Sequence, residues 1–222
     1  MVQARRRNAK PTQRAPAFAR RLVLMVKVPV LGRTKTRLAR EIGAVHATAF
    51  YRHTVSAVLG RLGGASDWQT ILCVAPDADR MSPVWPKRFA RLSQGGGDLG
   101  QRMQRVMDGL PPGPVVIIGT DVPGIRAEHV RAAFRILGSH DAVFGPSPDG
   151  GYWLVGLKRT GRVPSIFAGV RWSSAHALAD TLRNASGSRV GQVAGLADVD
   201  EAADLKRVGS APGRRILPLS AR

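Results

Sequence analysis

Three short runs constrain this chain more than anything else in it: "LVLMV" (22–26), "TILCVA" (70–75) and "VVIIG" (115–119). Each is almost wholly apolar and too short for a helix, so each predicts a strand covered on both faces. Longer stretches with helical spacing lie between them. Residues 38–62 place Leu38, Ile42, Val45, Ala49, Val55 and Leu59 on one side, and 98–110, 126–138 and 174–185 predict further helices. "PPGP" (111–114) stops the second of these. "DAVFGPSPDGGYWLVGL" (141–157) predicts two short strands about a Pro/Gly-rich turn, and "DVDEAADLKRV" (198–208) ends in a short helix. Strands that alternate with helices give an α/β, three-layer domain with a mostly parallel sheet. Such sheets bind ligands at the carboxyl ends of their strands, near the point where strand order reverses. Segments 27–37, 120–124 and 145–151, which follow strands, are therefore the places to look for chemistry.

The first is "KVPVLGRTKTRL" (27–38). Pro29 keeps Val28 extended beyond the strand, and Gly32 permits a sharp turn. Thr34 or Thr36 can cap the following helix, whose free N–H groups would then face an anion. Arg33, Lys35 and Arg37 add side-chain charge, and guanidinium groups suit phosphate. The segment lacks the second glycine of G-x-x-x-x-G-K-[ST] and is no P-loop. It is either a solvated loop or a phosphate cradle, and the concentration of cations around one glycine favours the cradle.

In "GTDVPG" (119–124), Asp121 is either a turn former or, at the end of an apolar strand, a ligand for Mg²⁺ or Mn²⁺. A second carboxylate can come from "DVDEAAD" (198–204), where Asp200, Glu201 and Asp204 also suit a helix N-terminus. In "GPSPDGGYWLVGL" (145–157), Asp149 with Gly150 and Gly151 reads as a tight hairpin, or as a carboxylate placed where a sugar can approach. Of Tyr152 and Trp153, one is expected to face the core and one a ring. "GGGDLGQRM" (95–103) offers Asp98 as a helix cap, or a loop that closes over a base or ribose.

The formal charge of +19 looks like the mark of a nucleic-acid binder until it is located. Residues 1–21 hold seven basic residues and residues 206–222 five more, with no acid in either, which leaves +7 for 22–205. The excess belongs to tails that can touch polyanions weakly; the few aromatics form no stacking array, so nucleic acid is not the expected main partner. The single cysteine, Cys73, lies inside an apolar run and reads as a buried structural thiol. The five histidines show no ligand spacing. No apolar stretch approaches the roughly 20 residues of a membrane helix, and the N-terminal segment lacks a signal-peptide core, so a cytoplasmic location is expected.

Taken in order, "KVPVLGRTKTRL", "GDLGQRM", "GTDVPG", "GPSPDGGYWLVGL", "FAGVRWSS" (167–174) and "DVDEAADL" (198–205) resemble one family. It is the rSAM/selenodomain-associated transferase 1 group, DUF2064, of arsenosugar-biosynthesis-type glycosyltransferases, within the nucleotide-diphospho-sugar transferase superfamily. The resemblance covers residues 21 to about 208, with basic tails at 1–20 and 209–222. It implies a GT-A-like α/β/α fold and a metal-dependent glycosyltransferase that takes a nucleotide-diphospho-sugar donor and a small-molecule acceptor. A guanylyltransferase-like nucleotidyltransferase acting on an NTP is the alternative, and polyanion binding through the tails a third reading. By this resemblance, Gly32, Arg33, Lys35 and Arg37 hold the nucleotide's phosphates, and Asp98 and Gly100 lie near the nucleoside. Asp121 and Asp200 hold Mg²⁺ or Mn²⁺, with Asp121 and Asp149 as the catalytic carboxylates and Asp149 facing the acceptor. The chain departs from the family pattern at Val122, where cysteine is usual, and at Ser174 and Glu201, where threonine is usual.

Overall fold

The computed structural model describes residues 18–209, so the basic segments 1–20 and 209–222 lie almost entirely outside the described residues. Among the described residues, seven strands and six α-helices follow one another: β1 (Arg21–Lys27), α1 (Thr36–Ile42), α2 (Ala44–Leu62), β2 (Gln69–Ala75), β3 (Ala90–Ser93), α3 (Leu99–Gly109), β4 (Val115–Gly119), α4 (Ala127–Ile136), β5 (Ala142–Pro146), β6 (Tyr152–Leu157), α5 (Ala177–Asn184), β7 (Val190–Gln192) and α6 (Ala202–Gly209).

One sheet runs β3-β2-β1-β4-β6-β5-β7. Every pairing is parallel except the two made by β6, which lies antiparallel to both β4 and β5. Alternate residues of β1 serve opposite faces, as the pleat requires. Leu22, Leu24 and Val26 pack with Tyr51, Val55 and Val58 of α2 and with Val130 and Phe134 of α4. Val23 and Met25 turn the other way, toward Met103, Val106 and Met107 of α3 and Leu178 and Leu182 of α5. Burial on both faces is why the three runs read as continuous rather than alternating hydrophobics. These helix layers and the sheet make the predicted three-layer α/β architecture.

Three details differ from the expectation. The helical stretch at 38–62 is two helices, because the chain turns at Gly43 with φ +84°. Segments β3 (ARLS) and β7 (VGQ) were not predicted; both are short edge strands without a fully buried residue, and so lack the apolar signature. A 3₁₀ turn at Asp77–Met81 follows β2. Strands β1, β2 and β3 progress to one side of the sheet while β4 lies on the other side of β1. The reversal falls between β1 and β4, so their carboxyl ends, Lys27 and Gly119, border the crevice where such folds place ligands.

Candidate active site

The segment leaving β1 folds back through two tight contacts, Val30 N–H to Val28 O at 2.8 Å and Arg33 N–H to Val30 O at 3.1 Å. Gly32 sits in that turn at φ +71° with open space around its α-carbon, so backbone conformation and not crowding calls for glycine there. Lys35 also adopts the left-handed region, φ 50° and ψ 49°, at the N-cap position of α1. Neither threonine caps that helix. The Thr34 hydroxyl is instead buried without a hydrogen-bond partner, while the residue borders the crevice alongside Arg33, Lys35 and Arg37.

Across the strand reversal, Thr120 donates its hydroxyl to Met25 O at 3.2 Å, tying the end of β4 to β1. Asp121 comes next. Its backbone carbonyl accepts from Val199 N–H at 3.1 Å, and Val199 is fully buried against Leu38 and Ala47. This anchor brings a segment almost eighty positions later in sequence to the end of the central strand. The start of α6 is capped by Asp204, whose carboxylate accepts from the N–H groups of Asp200 and Glu201, each at 3.0 Å. Because Asp204 does the capping, the Asp200 carboxylate is left to the crevice. Glu201, by contrast, is exposed and lines no part of it.

Between the two carboxylates stands the Lys35 ammonium, 3.1 Å from Asp121 Oδ2 and 2.5 Å from Asp200 Oδ1. The lysine side chain is 5% exposed, whereas the aspartates are 44% and 42% exposed. Burial alone would lower the Lys35 pKa, but the two carboxylates outweigh it and leave it raised. Lys35 was expected on phosphate; here it holds the carboxylate pair. Close by, Asp198 is pushed up to about 6 by burial and by the charges of Asp200 and Asp149. Sequence reading passed over Asp198, although it stands two places before Asp200 in the same acidic motif.

The crevice has two lobes that meet at Asp121 and Asp200. The first, about 590 Å³, extends from Arg33–Arg37 to Gln94, Asp98 and Arg102. Gln94 is buried and donates its amide to Val26 O and Cys73 O, at 3.2 and 2.8 Å, across the ends of β1 and β2. Arg102 is fixed at the rim by Gly97 O at 2.9 Å. Neither residue was singled out from sequence, because the strand that carries Gln94 to this edge is β3. Asp98 lies at the rim but its carboxylate accepts from Gln101 N–H at 2.8 Å, and the Gln101 side chain accepts from Asp98 N–H at 3.0 Å. It is thus a capping box first.

Gly100 departs most from its expected place beside a nucleoside. It is buried and lines neither lobe, and an added Cβ would lie 2.7 Å from Phe167 O and 2.8 Å from Trp172 Cζ2. Its smallness serves helix packing.

The second lobe, about 640 Å³, is lined by Asp149, Tyr152, Trp153 and the segment Trp172–Ala175. Asp149 Oδ1 accepts from Gly151 N–H at 2.9 Å, so the residue forms the predicted turn and also borders the lobe. Tyr152 lies edge-on to Phe144 and Trp172, and Trp153 donates its indole N–H to Ala194 O at 3.2 Å. The expected division between core and cleft is therefore blurred: both rings are largely buried and both border the lobe. Asp180 on α5 fixes the Trp172 segment by accepting from the backbone and guanidinium of Arg171 at 2.8–3.1 Å.

Among the described residues no group of three or more His, Cys, Asp or Glu side chains is arranged to hold a metal. The pair Asp121 and Asp200 nevertheless suits Mg²⁺ or Mn²⁺ in part. Both are hard oxygen donors, reachable from the crevice, and they already share one cation. The remaining ligands would have to come from substrate and water.

The family profile described as "Uncharacterized protein conserved in bacteria (DUF2064)" matches residues 58–174. No curated protein matches the chain. Among solved structures, a provisionally assigned nucleotide-diphospho-sugar transferase from Desulfovibrio desulfuricans G20 is similar at 29% identity and TM-score 0.77, over 87% of this chain and 89% of that one. Rv0371C from Mycobacterium tuberculosis H37Rv, in complex with manganese, is similar at 18% identity and TM-score 0.52, over 87% of this chain and 100% of that one. A 4-diphosphocytidyl-2C-methyl-D-erythritol synthase from Anaerococcus prevotii DSM 20548 is similar at 10% identity and TM-score 0.57, over 89% of this chain and 100% of that one. The last two likenesses are of fold alone. The fold is the GT-A-like one of nucleotide-diphospho-sugar transferases. With a profile that spans more than half of its length, this chain belongs to the DUF2064 family.

Proposed function

We propose that this protein is a metal-dependent glycosyltransferase that uses a nucleotide-diphospho-sugar donor. The observation that carries the reading is the junction of two lobes at Asp121 and Asp200, with cationic side chains confined to the walls of the first lobe and the junction. A nucleoside diphosphate fits the first lobe, its phosphates beside Arg33, Thr34 and Arg37. The second lobe, bordered by Tyr152, Trp153 and Trp172, suits a sugar and an acceptor, since aromatic faces pack against sugar rings. Mg²⁺ or Mn²⁺ held by Asp121 and Asp200 would neutralise charge on the departing diphosphate. Arg33 and Arg37 stabilise the same charge, and the lobes align the acceptor hydroxyl with the anomeric carbon. The C–O bond to the diphosphate breaks as the acceptor oxygen bonds to that carbon, and Asp149 takes the acceptor's proton.

Nucleotidyl transfer is the second reading, supported by the likeness of fold to the diphosphocytidyl-methylerythritol synthase and by enough basic side chains for a triphosphate. The test incubates the protein with Mn²⁺ or Mg²⁺ and a panel of nucleotide sugars and NTPs. Release of nucleoside diphosphate supports the first reading and release of pyrophosphate the second. If Asp121→Ala binds and turns over these ligands as the parent does, the site assignment is wrong.

A further inference from the structure

The Asp121–Asp200 pair is already occupied, by the protein's own lysine. The Lys35 ammonium is within 3.1 Å of one carboxylate and 2.5 Å of the other. A metal ion gripped by the same oxygens would be within a few ångströms of that ammonium, and two cations cannot share so small a space without strong repulsion. The pair is also incomplete as a metal site: it offers two carboxylates, the described residues supply no third ligand of that kind, and Mg²⁺ demands about six oxygens. Both deficits are met by one event. A diphosphate supplies oxygens to the metal and a new anionic partner for Lys35, which already lines the first lobe between Arg33 and Arg37. The stem of lysine is four flexible carbons long, so its ammonium can move without moving the left-handed backbone that carries it.

We infer that Lys35 is an exchangeable counterion, which closes the carboxylate pair in the ligand-free protein and moves to phosphate oxygens on binding, so that a divalent cation enters the pair only together with a diphosphate. This rests on the metal-dependent reading above. It assigns Lys35 a gating part that a static phosphate ligand would not have. It also makes the two ligands mutually dependent: by linkage, whatever factor pyrophosphate adds to metal affinity, the metal adds to pyrophosphate affinity.

The experiment measures protein-bound Mn²⁺ by electron paramagnetic resonance at fixed free Mn²⁺, with and without inorganic pyrophosphate. For the parent protein, Mn²⁺ alone should bind weakly, and pyrophosphate should tighten it at least about tenfold. Lys35→Met should bind Mn²⁺ alone at least about tenfold more tightly than the parent. Lys35→Gly should do the same and guards against misfolding, because glycine accepts φ 50° without strain. Arg37→Met removes a neighbouring charge that lines both lobes without an ion pair to either carboxylate, and should leave the affinity for Mn²⁺ alone within about threefold. Should the Lys35 variants bind Mn²⁺ no more tightly than the parent, or should Arg37→Met match them, the exchange is refuted while the metal reading stands. If no form binds Mn²⁺ even with pyrophosphate, the metal reading falls and the exchange with it.

Discussion

Replacing Gly100 by alanine separates a packing role from a nucleotide-binding one. The new methyl would stand 2.7 Å from Phe167 O and 2.8 Å from Trp172 Cζ2, well inside ordinary contact distance. One obstacle is a backbone oxygen, which cannot step aside as a flexible side chain can. Overpacking of this kind costs about 1–3 kcal/mol. Gly100 is the second residue of α3, so alanine's better propensity offsets only about 0.5 kcal/mol of that. The clash should win, with a net loss of about 0.5–2.5 kcal/mol, or a fall in Tm of about 1–10 °C for a domain this size. Because the strain falls on Phe167 and Trp172, it should disturb the second lobe, which Trp172 lines, and spare the first. The assay pairs a thermal melt followed by circular dichroism with calorimetric titration of a nucleoside diphosphate. Nucleotide affinity should stay within about threefold of the parent. A variant as stable as the parent would refute the packing argument. A variant of unchanged Tm that no longer bound nucleotide would return Gly100 to the nucleoside.

Thr34→Val keeps the side-chain shape but removes the buried, unpartnered hydroxyl. Stability should rise by up to about 1 kcal/mol while pyrophosphate affinity falls about three- to tenfold; a less stable variant with unaltered binding would mean that the hydroxyl is satisfied within the protein. Asp180 is held well below the usual carboxylate range, first by the Arg171 guanidinium and then by the Arg171 backbone N–H. A depressed folded pKa contributes stability that is complete above the unfolded value near 4 and is lost as pH falls toward the folded one. Chemical denaturation between about pH 2 and 7 should therefore show a steeper acid limb for the parent than for Asp180→Asn, and parallel limbs would count against the pairing.

Much of this architecture is legible without coordinates. A strand buried on both faces leaves no position for a polar side chain, which is why β1, β2 and β4 announce themselves and the short edge strands β3 and β7 do not. Helices α3 and α4 are equally plain, since each presents one apolar stripe to the sheet. The basic segment after β1 and the carboxylate after β4 are local facts too, and the rule that ligands sit beyond strand ends joins them.

Other features depend on contacts between distant parts of the chain. The hairpin turn at Asp149–Gly151 makes β6 antiparallel to β5, but no local pattern says that β6 inserts between β4 and β5, because burial on both faces writes the same apolar run wherever a strand sits in the sheet. Nor does "DVDEAAD" by itself say which acid caps the helix and which enters the crevice; the Val199 anchor to Asp121 and the Asp204 cap decide that. Gly100 is expected beside a nucleoside until Phe167 and Trp172 are seen against it. Residue type and spacing therefore determined which groups this protein could bring to a site, since hydrogen-bonding capacity and hydrophobic period are properties of neighbours in sequence. Which of those groups meet, and that a lysine fills the space between two aspartates, only the tertiary structure decided, because Coulombic pairing and close packing act over ångströms in space, whatever the distance along the chain.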